Sequence, residues 1–127
     1  MSEIKFGSSE EKAESVAKEL RRIKAQFSKI PEKKKRLALG LMERAAFMRV
    51  ALAELEADIS ENGFYEMFSQ GDQKPYQRKR PSVEVYGQTN KNYQTIMKQL
   101  IDLLPKDVPI AAADDGFESF VAGRDDG

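Results

Sequence analysis

Two runs of cations hold the residue types and spacing in this chain that suit chemistry. Lys33-Lys34-Lys35-Arg36 sets four positive charges side by side. Arg78-Lys79-Arg80 sets three, with Lys74 and Tyr76 just before them. Neighbouring Lys and Arg side chains donate to the free oxygens of a phosphodiester backbone, and each phosphate neutralised releases counterions. An aromatic beside them, here Tyr76, offers a face on which a base stacks. Each run thus reads as a phosphate contact, against the alternative of charge that only keeps the surface soluble. Lys24, with Arg21 and Arg22, extends the first run. Neither run has the form of a base-specific reader, so a sequence preference would come from DNA shape.

Other chemistries lack their residues. The chain contains no histidine, no cysteine and no tryptophan. That removes the commonest general base and every Ser-His or Cys-His arrangement, as well as disulfides and thiolate metal sites. No phosphate-cradling glycine loop is present. No catalytic residue, cofactor or metal is therefore assigned. Glu54, Asp58 and Glu61 share a helical face and, with Glu56, would suit only a hard cation. An exposed acidic face is the plainer expectation, with pairing to Arg44 or Arg49 a further use. Asn90, Asn92, Tyr86 and Tyr93 form a polar group that reads as packing and register rather than as a site.

The net charge is zero, but it arises from blocks. Residues 1–40 carry eleven Lys or Arg against six Asp or Glu, residues 41–71 two against six, residues 72–106 seven against three, and residues 107–127 one against six. Local fields are therefore larger than the sum implies. No apolar run approaches the roughly 18 residues of a membrane span, and MSEIKFGSSEEK has no apolar segment of signal type. A cytosolic protein is expected.

Helices must position these groups. Ser8 with Glu11 fits a capping box, and Ala13, Val16, Ala17, Leu20, Ile23, Ala25 and Phe27 give a helical stripe to about Ile30. Pro31 opens a second helix, expected to run to about Glu61. Its seam Leu37, Leu41, Ala45, Met48, Leu52, Leu55 and Ile59 steps by three and four, and Leu39, Met42, Ala46, Val50, Ala53 and Ala57 make a second seam beside it. Phe47 widens the apolar surface. Such a helix needs covering on more than one side. Asn62-Gly63 supplies a stop. The stretch Phe64–Arg80 reads as a long connector, with Phe64, Tyr65, Met67 and Phe68 anchored and SQGDQKPYQRKR exposed and mobile. Val83, Tyr86, Asn90, Tyr93, Met97, Leu100 and Leu104 then form a third heptad seam from Pro81 onwards, closed by Pro105. Asn90 on that seam would set register.

The strings RAAFMRVALAELEADISENG and FSQGDQKPYQRKRPSVEVYGQTNKNYQTIMKQLIDLLPK carry a resemblance. Over about residues 15–106 the chain resembles the P27-like small terminase subunits of tailed phages infecting Gram-positive bacteria. That resemblance implies a non-enzymatic protein in the host bacterial cytoplasm. It implies a ring of many subunits that binds double-stranded viral DNA. It also implies recruitment and regulation of the large terminase subunit, which holds the ATPase and nuclease. In related proteins a central helical hairpin builds the ring. Many members also carry an N-terminal helix-turn-helix domain, for which residues 1–30 are too short.

The expectation is an all-α fold in three parts. Residues 1–30 form an N-terminal arm and helix. Residues 31–105 form an antiparallel helical hairpin that oligomerises through Leu41, Met48, Leu52, Leu55, Tyr86, Asn90, Tyr93 and Met97. Residues 106–127 form a disordered acidic tail whose Phe117, Phe120 and Val121 would dock on a partner, the large terminase being the natural one. The competing reading is a cytosolic helical adaptor that binds protein and no nucleic acid.

Overall fold

The computed structural model describes residues 9–107. The order of elements is α1 (Ser9–Gln26), a single 3-10 turn (Glu32–Lys34), α2 (Lys35–Asn62), β1 (Tyr65–Phe68), β2 (Tyr76–Lys79) and α3 (Pro81–Leu103).

Local chemistry explains most of the boundaries. Glu10 and Glu11 in the first turn of α1 and Lys24 in its last complement the helix dipole. The helix stops at Gln26 rather than near Ile30, because Pro31 disfavours helical backbone in the residue before it. Pro31 itself is extended (φ −57°, ψ 146°) and caps the 3-10 turn, so α2 starts at Lys35, later than the sequence implies. At the other end Gly63 takes φ 80° and its N–H donates to Ile59 O at 2.7 Å. Pro81 sits at the start of α3, where a missing N–H is harmless.

α2 lies between the other two helices and runs antiparallel to both. Lys12 near the start of α1 meets Glu54 late in α2 at 3.5 Å, while Phe27 and Ile30 share a core with Ala38 and Met42. Ile96, Met97, Leu100 and Ile101 of α3 join that same core, whereas Ser82 at the start of α3 bonds Asp58 near the end of α2. Ala38, Ala45 and Ala46 are wholly buried, and their small side chains let the helices approach closely. Both neighbours that α2 requires are thus supplied by its own chain.

Two expectations change. The fold is mostly helical but not all-α, because the connector forms an antiparallel β-hairpin pairing Tyr65 with Lys79, Glu66 with Arg78, Met67 with Gln77 and Phe68 with Tyr76. Second, much of the seam assigned to oligomerisation serves the chain itself. Leu52, Leu55 and Met97 are buried within it, and Leu41, Met48 and Tyr93 pack on its core. Tyr86 and Asn90 are half-buried. Among the described residues, no helix is long and apolar enough to cross a membrane.

Candidate nucleic-acid interface

The two cation runs end up at opposite ends of the helical hairpin. Lys33 and Lys34 lie in the 3-10 turn, Lys35 and Arg36 open α2, and the β-hairpin follows the end of the same helix. With 28 residues, α2 separates them by roughly 42 Å at 1.5 Å per residue. They are two sites, not one patch.

The first run is open to solvent. Lys33, Lys34, Lys35 and Arg36 are all exposed, as is Lys24 on α1. Lys35 reaches Glu32 at 3.0 Å, but both side chains are largely solvated and such pairs contribute little. No ion pair among the described residues engages Lys33, Lys34 or Arg36. The start of α2 also lacks an acidic residue in its first turn and has no side-chain cap. Four cations at an uncapped helix start work against the dipole. This local inconsistency with folding is a common signature of a functional position. Arg22, read as an extension of the run, is paired with Glu19 at 3.1 Å, while Arg21 remains exposed.

The second run is largely consumed by the fold. Arg78 donates from Nε to Glu66 at 2.7 Å and lies 3.5 Å from the centroid of the Phe68 ring. Tyr76 meets Phe68 edge to face with centroids 5.9 Å apart. Glu66, Phe68, Tyr76 and Arg78 therefore share one face of the hairpin, an arrangement suited to a marginal two-stranded sheet. Lys79 reaches Glu84 at 3.2 Å with both side chains exposed. Lys74 remains on the exposed tip.

Arg80, expected to be an exposed loop cation, is buried. Its Nη2 donates to Asp58 Oδ1 at 2.9 Å and its Nη1 to Gly63 O at 3.0 Å. Ser82 Oγ donates to Asp58 Oδ2 at 2.8 Å, and Asn62 Nδ2 donates to Asp58 Oδ1 at 2.8 Å. Asp58 is correspondingly no part of an exposed acidic face. Hydrogen bonding from Arg80 lowers its carboxyl below the usual value against the opposing effect of burial, and Ser82 and Asn62 add to the lowering. Arg80 N–H also donates to Phe64 O at 2.8 Å, closing the base of the hairpin. This node joins the end of α2, the hairpin and the start of α3. An Asp and an Arg 22 positions apart carry no local sequence pattern, so sequence reading had no signal for it.

Tyr86, assigned to the oligomerisation seam, has a further contact within the chain. Its hydroxyl donates to Glu56 at 3.0 Å, and burial together with that carboxylate raises its pKa.

Apolar side chains remain uncovered. Phe64, Tyr65, Met67 and Tyr76 on the hairpin and Leu37, Leu39 and Phe47 on α2 are exposed. Leu37, Gly40, Arg44 and Phe47 step by three and four along one uncovered stripe of α2. The partner-binding residues Phe117, Phe120 and Val121 lie outside the described residues.

Comparison of the chain with protein-family models, curated proteins and solved structures returned no match.

Proposed function

We propose that this chain is a small terminase subunit, a non-enzymatic, self-assembling scaffold that binds double-stranded viral DNA and recruits the large subunit during genome packaging. The resemblance over residues 15–106 supports this reading. The observation that carries its DNA-binding part is the exposed run Lys33–Arg36, with Lys24 nearby, at a helix start that has no side-chain cap and no acidic residue in its first turn. Phosphate oxygens would supply the negative charge that this helix start lacks. In an assembly the run repeats once per subunit and forms a basic belt, so weak phosphate contacts add up to an avid grip. Lys74 at the hairpin tip is a second, weaker contact. Arg78 and Arg80 leave the set because the fold already engages them, whereas Lys79, whose pair with Glu84 is as solvated as that of Lys35, stays beside Lys74.

Self-association in this reading uses the uncovered surface rather than the buried seams. Phe47 and Leu37 on α2 and Tyr65 and Met67 on the hairpin are more than half exposed. These are two separate surfaces, and in this reading neighbouring copies cover them.

The test combines mass and affinity. Light scattering on the full chain at low and high salt is expected to give one species of many subunits. A monomer at every concentration removes the scaffold. Lys33→Glu, Lys34→Glu and Arg36→Glu together are expected to abolish duplex binding at moderate salt. They should also flatten the salt slope by about one unit for each phosphate that is no longer neutralised. Binding unchanged by the substitutions would move the DNA contact away from this run, and no duplex binding by the parent chain would leave the protein-only adaptor, which the exposed hairpin favours.

A further inference from the structure

One open groove lies where α1 gives way to α2. Its floor is formed by Phe27, Ile30 and Met42, and its rim by Lys24, Lys35 and Leu39. It measures about 360 Å³. That falls within the roughly 300–1,000 Å³ of sites that hold apolar ligands. An apolar floor between lysines calls for an occupant that is both aromatic and acidic.

We propose that this groove is the docking site of the same chain's C-terminal segment, residues 108–127, and that the docked segment covers the first cation run. The segment contains Phe117, Phe120 and Val121 among Asp114, Asp115, Glu118, Asp125 and Asp126, against a single Arg124. Its sign is opposite to that of the groove rim and of Lys33, Lys34 and Arg36 beside it. Its two phenylalanines, three positions apart, match an apolar floor bounded by charge.

Chain geometry places it there. Leu103 and Leu104, at the end of α3, pack against the same core that contains Phe27, Ile30 and Met42. The ten residues from Asp107 to Phe117 reach at most about 36 Å when extended. A helix with its side chains is only about 10–12 Å across, so the groove lies within easy reach. The exposed apolar hairpin is at the far end of α3, roughly 35 Å away for a helix of 23 residues. Its arginines are already paired. Attachment to the same chain raises the local concentration of the segment to the millimolar range, so modest contacts suffice. Docking stands on groove, charge and reach. Its consequence, that the segment competes with DNA, rests on the DNA-binding reading above.

The chain has no cysteine, so a cysteine pair tests this cleanly. Ser28 lines the groove and is exposed, and Ser119 lies between the two phenylalanines. In the full chain carrying Ser28→Cys and Ser119→Cys, mild oxidation is expected to give a disulfide within one chain. It should form at least tenfold faster than in the same cysteine pair carrying Phe117→Asp and Phe120→Asp, which leaves the reach of the segment unchanged. Leu39→Asp, at a solvent-exposed rim position, should slow the groove cross-link several-fold without moving the melting temperature. Equal rates with and without the two phenylalanines, or a cross-link formed only between chains, would overturn the proposal. Duplex binding is then measured on the oxidised and reduced pair. Weaker binding when oxidised supports competition, and equal binding overturns it. No binding in either form overturns the DNA reading while the cross-link still decides docking.

Discussion

Arg80 and Asp58 are 22 positions apart in sequence and 2.9 Å apart in space, and both side chains are almost completely buried. Each satisfies the other in a place where either alone would be an uncompensated charge. Arg80 also bonds the carbonyl of Gly63, so one side chain ties the end of α2 to the base of the hairpin and the start of α3. Removing one partner leaves the other buried and unpaired, which typically costs about 3–5 kcal/mol. Asp58→Ala and Arg80→Ala are each expected to lower the unfolding free energy by that amount, read as a lower urea midpoint at an unaltered denaturant slope. A double variant, Asp58→Leu with Arg80→Met, should recover part of the loss. Midpoints equal to the parent's in both single variants would show that the node is not structural.

The same carboxylate makes stability depend on pH in a stated direction. Hydrogen bonding holds the Asp58 pKa below its ordinary 3.8 in the folded state. The folded chain therefore binds the proton less readily than the unfolded chain. The contribution is complete above about pH 4 and is lost as pH falls through the lowered folded value. Thermal melts across pH 2–7 should show the parent losing stability at the acid end. Asp58→Asn should be destabilised at neutral pH, and the gap between the two should narrow below about pH 4. A gap of constant size would mean that Asp58 does not titrate with folding.

The helices were legible because their signals are local. Pro81, the Asn62-Gly63 pair and the heptad steps of Val83 to Leu104 act over a few residues, and each boundary they imply lies within a residue or so of the observed one. The hairpin was not legible. Tyr65–Phe68 and Tyr76–Lys79 are four residues each, and their seven-residue connection carries no two-residue turn signature. Heptad spacing also does not say whether a seam meets a neighbour in the same chain or in another. For Leu52, Leu55 and Met97 it meets the same chain. At the candidate site, composition located the cations correctly but could not tell an exposed Lys33 from a buried Arg80. That difference depends on Asp58, which sequence reading placed on an exposed face.

Gly63 is a position where only glycine fits without strain. It adopts φ 80° and ψ −173°, a region that side-chain-bearing residues rarely enter. A Cβ there would meet no atom within 4 Å, so the penalty comes from the backbone alone. Gly63→Ala is expected to cost about 1–3 kcal/mol. Because Arg80 donates to the Gly63 carbonyl, part of that loss should disappear when Arg80 is already absent. A double-mutant cycle on Gly63→Ala and Arg80→Ala, followed by urea unfolding, measures this coupling. Fully additive losses would show that the two features act separately.

The face of the hairpin opposite the Glu66–Arg78 pair bears Tyr65 and Met67 beside Lys79 and Gln77. Tyr65 and Met67 are both more than half exposed. A two-stranded sheet is marginal in water by itself, and both outer edges of this one lack strand partners among the described residues. Cover from another subunit would account for both the apolar face and the open edges. Tyr65→Asp with Met67→Asp touches neither the three-helix core nor the Asp58 node. It is therefore expected to reduce the mass measured by light scattering to that of a small species while leaving the far-ultraviolet circular dichroism unchanged. In the proposed reading affinity for duplex DNA should fall with it, since single subunits keep the lysines but lose the summed grip of an assembly. An assembly of undiminished mass would move the interface between copies to the Leu37–Phe47 stripe of α2. Phe47→Asp would then be the variant that takes it apart.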